Sequence, residues 1–456
     1  MSQEKSAEAI TSPSAATAPL SAIIQALSSP RAQRSRLWRG IWWAVLGLGL
    51  LLLSAQAWLA SQQPNDFCQD YQAAQHLLQG HSAYLPVQCW AGISNVPVTI
   101  EYNPHPPTSV LLAYPFGLLP FPTATLLWGC FCLAAYLVAG WLLLSEVGWR
   151  SLPGIALFTF GSGLWPALRL SLSLQNLGEF TLLLLVGAWL LERHGKHRWA
   201  GVLLGLAALL KLWPTLLLLG AILYGRRAVV RSALLTIGSV TILTVLVLGP
   251  QAIADYLGPV QINERAWVPA QENLSIVGAV TRPLTGYDDH LVAIPRLLQG
   301  VSLSSAVLLG ELVAGLVLLA TLLFLWRCRQ RGKSAVGEWL AQGVLITMLL
   351  LIFPVTWYWS LTLLLLPGAM LLLALRQLPR PPTWWLLTLL ITLLIPFGAA
   401  WPCIWLADKL LAQPHNTLTG WATLLYDVPT IALLALAGLQ GWLLWNMGQA
   451  SLHKNT

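Results

Sequence analysis

Long runs of apolar residues, each separated from the next by a short polar or basic stretch, dominate the chain. An α-helix needs about 20 apolar residues to cross the hydrocarbon core of a bilayer, and most of the runs approach that length. The pattern predicts twelve candidate spans, near 38–60, 123–145, 152–168, 176–191, 199–212, 214–224, 232–249, 303–326, 337–353, 359–375, 383–401 and 428–447. We therefore expect an all-α polytopic membrane protein with about 11–12 transmembrane helices.

Composition agrees with this pattern and excludes a soluble protein. The chain has 456 residues, 56% of them hydrophobic and only 9% charged, with a mean hydropathy of +0.67. We expect one membrane domain over 37–447, a disordered N-terminal tail over 1–36 and a short C-terminal tail over 448–456. The net charge of +8 is spread in small clusters between the apolar runs, so nucleic acid is not expected as a partner.

The basic clusters predict the orientation of the chain in the membrane. Alternating spans put both termini on one side, and taking that side as cytoplasmic collects 19 of the 25 Lys and Arg residues there. The polar segments 61–122 and 250–302 then face the opposite side, and the first contains no Lys or Arg. The expected location is the plasma membrane, with the functional loops exposed to the periplasm or the exterior.

Two places depart from simple crossings. The runs 199–212 and 214–224 are short and meet at Lys211 and Pro214, which predicts a helical hairpin with a broken backbone at its tip. Such a break is tolerated at membrane depth only where protein or a water-filled cavity covers it, so a functional site is expected close by. The stretch from Pro106 to Pro120 is too short to cross and is interpreted as re-entrant or interfacial.

Asp66 is the first candidate catalytic residue, because it follows the first span directly and puts a carboxylate at the membrane interface. A carboxylate there can take a proton from a sugar hydroxyl. The alternative is that Asp66 or Asn65 only caps the short amphipathic helix that follows, which carries Asp70 and Tyr71.

Lys211 is the second candidate, since a lone lysine between apolar runs usually faces a cavity or a partner charge. Its ammonium could hold a phosphate, or it could simply snorkel to the interface. The third candidate is the group of Asn273, Ser275 and Arg282, in which the arginine could grip a phosphate and the other two could bind sugar hydroxyls. An ordinary polar loop is the alternative.

Three further features are noted. Trp357 stands at the predicted outer end of a span, where it could stack on a sugar or prenyl chain or sit among lipid headgroups. The histidines of the outer segments lack metal-ligand spacing, so no metal site is predicted and no cofactor is expected. Cys68 and Cys89 share one outer segment, which makes a disulfide feasible on an oxidising face.

Taken in order, these segments resemble glycosyltransferase family 87, which includes the polyprenol-phosphate-mannose-dependent alpha-mannosyltransferases of bacterial envelopes. The likeness covers residues 40 to 375. It is carried by Asp66-Phe-x-x-x-Tyr71-x-Ala-Ala with Gly80 and Tyr84, Tyr102-Asn-Pro104-His-Pro-Pro107, Gln175-Asn176, Ala200-Gly201 to Lys211-x-x-Pro214 with Arg226-Arg227, and Asn273-x-Ser275 to Arg282.

The resemblance implies a GT-C architecture whose active site opens to the non-cytoplasmic face, a polyprenyl-phosphate sugar as donor and a glycan or glycolipid as acceptor. It makes Asp66 the counterpart of the general base. Substrate contacts are then expected at Lys211, Arg282, Asn273, Ser275, Gln175, Tyr71, Tyr102, Trp357 and Asp70. The chain departs from the family at Tyr358 and Trp359, where histidines are common, and at Leu174, where glycine is usual, so the preference for mannose is less firmly implied than the reaction.

The expected reaction is an inverting hexosyl transfer. Asp66 would deprotonate the acceptor, while Lys211 and Arg282 would neutralise the departing phosphate without a metal. Two rivals remain at this level: a transporter or lipid flippase, which would need buried carboxylates such as Glu179 or Glu311, and a non-catalytic subunit that scaffolds envelope enzymes.

Overall fold

Helices account for nearly all the regular structure in the computed structural model of the chain. The structure describes residues 36–61, 66–87, 89, 102–260, 265–288, 293–294, 296, 300–331, 334–376, 400–411 and 424–452. The predicted N-terminal tail, the last residues of the C-terminal tail, Asn65 and nearly all of the predicted span 383–401 lie outside these residues.

Long helices form the frame of the molecule. They are α1 (Arg36–Ala60), α4 (Phe121–Glu146), α10 (Arg227–Leu248), α13 (Leu303–Arg331), α14 (Ala335–Ile352), the 3-10 turn Tyr358–Leu364 continued by α15 (Leu365–Leu375), and α17 (Val428–Leu452). In the described part of the chain, these seven are long and apolar enough to cross a membrane. This confirms an all-α polytopic membrane protein.

Shorter helices fill the frame. They are α2 (Phe67–Leu78), α3 (Pro107–Ala113) with the 3-10 turn Tyr114–Leu118, α5 (Leu152–Leu164), α6 (Pro166–Leu174), α7 (Gly178–Arg193), α8 (His197–Leu210), the 3-10 turn Trp213–Leu216, α9 (Leu217–Leu223), α11 (Gln251–Asp255) with the π-turn Tyr256–Val260, α12 (Ile276–Thr285) and α16 (Ala400–Leu411). Two-residue strands, Tyr287–Asp288 and Ala293–Ile294, pair antiparallel.

The expected 11–12 crossings are therefore not all full-length helices. Eleven of the twelve predicted segments coincide with described helices, but α7, α8 and α9 are too short to cross alone. The segment predicted at 152–168 also divides at Trp165, where α5 and α6 meet at a 68° bend, and counting this pair as one span raises the number of crossings to eight. Prolines and polar residues at the breaks end these helices early. Neighbouring helices cover the backbone N–H and C=O groups that the breaks leave outside a helix.

The predicted hairpin at Lys211 is present. α8 and α10 run in the same direction, because Gly201 faces Val229 and, one turn later, Gly205 faces Ala233. The intervening α9 must therefore run back towards the starting side. The 14 residues of α8 rise about 21 Å, which is less than the ~30 Å of hydrocarbon, so the tip of the hairpin ends inside the bundle.

The ends predicted to be cytoplasmic meet on one face of the molecule. Arg226 at the start of α10 pairs with Glu192 at the end of α7 (2.8 Å) and Glu338 near the start of α14 (3.0 Å). Arg193 pairs with Glu146 at the end of α4, and its guanidinium lies 4.1 Å from the ring centre of Trp339. Four helix ends are thus tied together by charges, as the predicted alternation of spans requires.

The close approach of α8 and α10 depends on glycine at position 205. A Cβ there would lie 2.9 Å from the Ala233 carbonyl oxygen and 2.9 Å from the Thr236 Cβ. We expect Gly205→Leu to lower the thermal unfolding temperature of the purified protein in detergent, at a cost of about 1–3 kcal/mol for overpacking. Gly238→Leu is the matched control, because nothing lies within 4 Å of a Cβ at that position of α10. Equal destabilisation by both variants would contradict this packing.

Candidate active site

Three breaks in the helical backbone meet at one place. Asp66 immediately precedes α2, Asn176 lies between α6 and α7, and Lys211 lies between α8 and the 3-10 turn that begins at Trp213. The backbone hydrogen bond from Asp66 N–H to the Leu174 carbonyl (2.9 Å) fixes the first break against the second. A helix break leaves backbone groups and polar side chains free to face a shared space, so this is where chemistry can be placed.

The side-chain amide of Asn176 connects the two charged residues. Its Nδ2 donates to Asp66 Oδ2 (3.2 Å), and its Oδ1 accepts from Lys211 Nζ (2.7 Å) and from the Gly178 N–H (3.0 Å). The carboxylate and the ammonium are therefore on opposite sides of one amide group. The bond to Gly178 also holds the amide at the first turn of α7.

Asp66 occupies the N-cap position of α2, but its side chain makes no cap hydrogen bond to the helix. Burial raises the pKa of its carboxyl group above the ordinary value of 3.8, while the Asn176 hydrogen bond and the charges of His105 and Lys211 act in the opposite direction. A raised pKa makes a carboxylate a stronger proton acceptor. The surroundings of Asp66 therefore suit a base.

Asp70 lies one turn further along the same face of α2 and holds a histidine. His105 Nδ1 lies 3.0 Å from Asp70 Oδ1 and 2.9 Å from Oδ2, and Asn103 Nδ2 donates to Asp70 Oδ1 (3.0 Å). The Asn103 carbonyl-type Oδ1 accepts from the His105 N–H (2.9 Å), and Tyr84 donates its hydroxyl hydrogen to the His105 carbonyl (2.8 Å). The imidazole is thus fixed from several directions.

Gln175 forms the corner that presents Asn176. It has φ 55°, a left-handed conformation that no other described non-glycine residue adopts. Its carbonyl accepts from Trp128 Nε1 (2.9 Å), and its side-chain Oε1 accepts from Thr125 Oγ1 (2.6 Å). These bonds to α4 give Gln175 a role in shaping the backbone, and its predicted contact with substrate stays a prediction.

The third predicted group belongs to a structural network. Arg282 is fully buried, and it donates to Asp427 Oδ1 (2.7 Å) and to the carbonyls of Ala270 (2.5 Å) and Asn273 (3.2 Å). The arginine fork predicted for a phosphate is therefore engaged by a carboxylate at the start of α17 and by local backbone. Phosphate binding by Arg282 is left as a prediction of the sequence.

Asn273 and Ser275 join two segments of the chain. Asn273 Oδ1 accepts from the Thr356 N–H (2.9 Å), and its Nδ2 donates to the Pro354 carbonyl (2.9 Å). Ser275 Oγ donates to the same carbonyl (2.8 Å) and caps α12 by accepting from the Gly278 N–H. These bonds fix the backbone that carries Trp357, whose ring stacks on Trp359 at 5.0 Å between ring centres.

Tyr71 and Tyr102, two of the predicted substrate contacts, pack within the outer segment. Tyr71 donates its hydroxyl hydrogen to the Leu119 carbonyl (2.8 Å), and its ring lies 5.1 Å from that of Phe121. Tyr102 packs against the small cluster that contains Tyr84 and Tyr256. Cys68, on α2 beside Asp66, forms a disulfide with Cys89 with 5.6 Å between their Cα atoms.

A family model described as glycosyltransferase family 87 matches residues 103–354, more than half of the chain. The chain belongs to glycosyltransferase family 87. It is therefore a membrane glycosyltransferase. No curated protein matches the chain.

The matched segment contains Asn176 and Lys211, together with His105. Asp66 precedes the matched segment by 37 residues and is joined to it by the hydrogen bond from Asn176. Sequence reasoning missed His105 as a member of the site and treated Asn176 only as part of a family motif. The signal that was present for His105 is its position in the run Tyr102-Asn-Pro-His-Pro-Pro107, where prolines fix the backbone around a polar pair.

The pairing of Arg282 with Asp427 generates a prediction about stability. Asp427→Leu leaves a fully buried guanidinium without its counter-charge, so we expect a loss of about 3–5 kcal/mol in the free energy of unfolding. Asp427→Asn keeps an oxygen acceptor and should lose clearly less. Thermal unfolding of both purified variants is the measurement, and no difference between them would show that this acceptor does not hold Arg282 in place.

Proposed function

We propose that this family 87 glycosyltransferase moves a hexose, with mannose as the first choice, from a polyprenyl-phosphate sugar to a glycan or glycolipid acceptor. The observation that carries the proposal is the joint placement of Asp66 and Lys211 on one amide at a meeting of helix breaks. A displacement at an anomeric carbon needs a base at the attacking hydroxyl and benefits from a cation at the leaving phosphate. Asp66 and Lys211 offer such a base and such a cation within one site.

The proposed reaction is a single inverting displacement. The acceptor hydroxyl oxygen attacks the anomeric carbon as Asp66 takes its proton. The bond between that carbon and the phosphate oxygen breaks, and the polyprenyl phosphate leaves with the electron pair. One new glycosidic bond replaces one sugar–phosphate bond, and the anomeric configuration inverts because a single displacement occurs.

Lys211 is the residue proposed to receive the leaving phosphate. Negative charge builds on the phosphate oxygens as the sugar departs, and an ammonium fixed in advance stabilises that charge most in a site that excludes water. The bond from Lys211 Nζ to Asn176 Oδ1 orients the ammonium at the amide that also binds Asp66. The proposal assigns this work to side chains rather than to a metal ion.

The remaining predicted contacts serve as secondary parts of the proposal. The stacked pair Trp357 and Trp359 offers flat apolar surface of the kind that binds a sugar ring or a prenyl chain. Tyr102 is also proposed as a substrate contact. It is partly buried, packs against the cluster that contains Tyr84, and lies three residues before His105. Glycans or glycolipids would approach from the side of the outer segments.

The proposed orientation puts the site on the non-cytoplasmic face of the plasma membrane, with both termini in the cytoplasm. It is supported by the absence of Lys and Arg from 61–122 and by the pairing of Cys68 with Cys89 in that segment. Structural disulfides persist in oxidising compartments and are rare in the bacterial cytoplasm. Both observations support a location of this segment on the non-cytoplasmic side of the membrane.

The base role of Asp66 is tested by sugar transfer in lipid nanodiscs, with a radiolabelled polyprenyl-phosphate mannose donor and an envelope glycolipid fraction as acceptor. We expect Asp66→Asn to lower the rate constant of transfer by about 10²–10⁴-fold, because the amide cannot take a proton. In the wild-type protein, the active form is the deprotonated carboxylate. Since burial raises its pKa, the rate should rise with pH through a limb that lies above the ordinary pKa of 3.8.

Glu311→Gln is the matched control for Asp66→Asn. It also exchanges a carboxylate for its amide, but in α13, which packs against α12, α14 and α17 rather than around Asp66. We expect full transfer activity from this variant. An active Asp66→Asn protein would remove Asp66 from the base role, and an equal loss of activity in both variants would show that the loss is not specific to Asp66.

Orientation is tested with a membrane-impermeant maleimide on intact cells. In a variant with Cys130, Cys132, Cys328 and Cys403 replaced by Ala, we expect labelling only after a reducing agent opens the Cys68–Cys89 disulfide. In a cysteine-free background, Arg150→Cys on the opposite side should be labelled only after permeabilisation. The reverse pattern of access would place the site in the cytoplasm.

A further inference from the structure

The negative charges that meet in the proposed reaction outnumber the single positive charge of Lys211. Asp66 and Asp70 bring two carboxylates to one face of α2, and Lys211 brings one ammonium. A donor phosphate adds a further negative charge, and the departing polyprenyl phosphate adds still more. Arg282, the cation expected from sequence to share this task, is engaged by Asp427.

His105 is the described residue best placed to supply that charge. Its Nδ1 is held by both oxygens of Asp70, which orients the ring. Its Nε2 makes no hydrogen bond to a described residue, and a tenth of the side-chain surface stays exposed. A ring fixed at one nitrogen and open at the other is arranged to present the second nitrogen to a ligand.

The position of the ring relative to Asp66 agrees with this role. Asp66 and Asp70 are four residues apart at the start of α2 and therefore lie on one face, so a histidine bound to Asp70 is close to Asp66 as well. Asn103 and Tyr84 hold the backbone of His105, which keeps the ring in place.

We propose that His105 is a second phosphate-binding residue of the site, whose Nε2–H donates to the phosphate of the polyprenyl donor while Asp70 orients the ring. This assignment rests on the proposed function. Asp70 is then a positioning residue, not a contact of the sugar.

Two substitutions separate a phosphate contact from a structural role. In His105→Asn the side-chain amide nitrogen occupies the place of Nδ1, so the bond to Asp70 can form while the group at Nε2 is lost. In His105→Gln the longer side chain carries its amide nitrogen to the place of Nε2, so a donor to the phosphate is kept. A phosphate contact predicts that Gln retains function better than Asn, and a purely structural role predicts the reverse.

The experiment measures kcat/KM for transfer from a short-chain polyprenyl-phosphate mannose, and the inhibition constant of the matching polyprenyl monophosphate. We expect His105→Asn to lower kcat/KM by about 10²-fold and to weaken inhibition in parallel, and His105→Gln to stay within about tenfold of the wild-type protein. Size-exclusion profiles and unfolding temperatures of both variants report whether the fold is kept.

The outcomes are distinct. Wild-type transfer together with equal or better activity of His105→Asn than of His105→Gln would overturn this assignment and leave the proposed function standing. Unchanged inhibition by the polyprenyl monophosphate in His105→Asn would overturn it as well. No transfer from the lipid-phosphate donor by the wild-type protein would overturn the proposed function and this assignment together.

Discussion

A single amide side chain, that of Asn176, holds the candidate active site together. Asp66 and Lys211 reach it from helix breaks 110 and 35 residues away in sequence, and a direct ion pair between them would leave neither charge available to a substrate. The amide satisfies one atom of each while keeping them apart. Because Asn176 Oδ1 also accepts from the Gly178 N–H, this arrangement depends on where α7 begins. The left-handed corner at Gln175 and the bend between α5 and α6 place that beginning inside the bundle.

The fold was predictable from sequence where a physical rule acts over a whole segment. Apolar length and the distribution of Lys and Arg placed eleven of the twelve candidate spans on described helices, and Pro214 marked the broken hairpin with Lys211 at its tip. The bend at Trp165 was not predicted, because the apolar run continues across it and hydropathy does not register a change of direction. The shortness of α8 was predicted, because its 14 residues equal the length of the apolar run 199–212, and a helix buried among others need not span the bilayer on its own.

The candidate site was predictable only in part, and the division has a physical cause. Asp66 and Lys211 stand out because a charged residue next to a membrane span is costly unless it faces a cavity or a partner charge. The apolar neighbours in sequence are enough to recognise such a residue. Arg282 meets the same criterion, yet its partner Asp427 lies 145 residues away, and no local pattern reveals such a pair. His105 and Asn176 were overlooked for the complementary reason. An uncharged amide and a single histidine acquire their importance from three-dimensional contacts with Asp66, Asp70 and Lys211.

The most direct test of the central claim is a cryo-electron microscopy structure of the protein in nanodiscs with a bound polyprenyl phosphate. The account predicts phosphate density within hydrogen-bond distance of Lys211 Nζ, on the side of the Asn176 amide opposite Asp66, with the prenyl chain leading into the lipid. Phosphate density at a distant position, with Lys211 and Asp66 still hydrogen-bonded to Asn176, would contradict it.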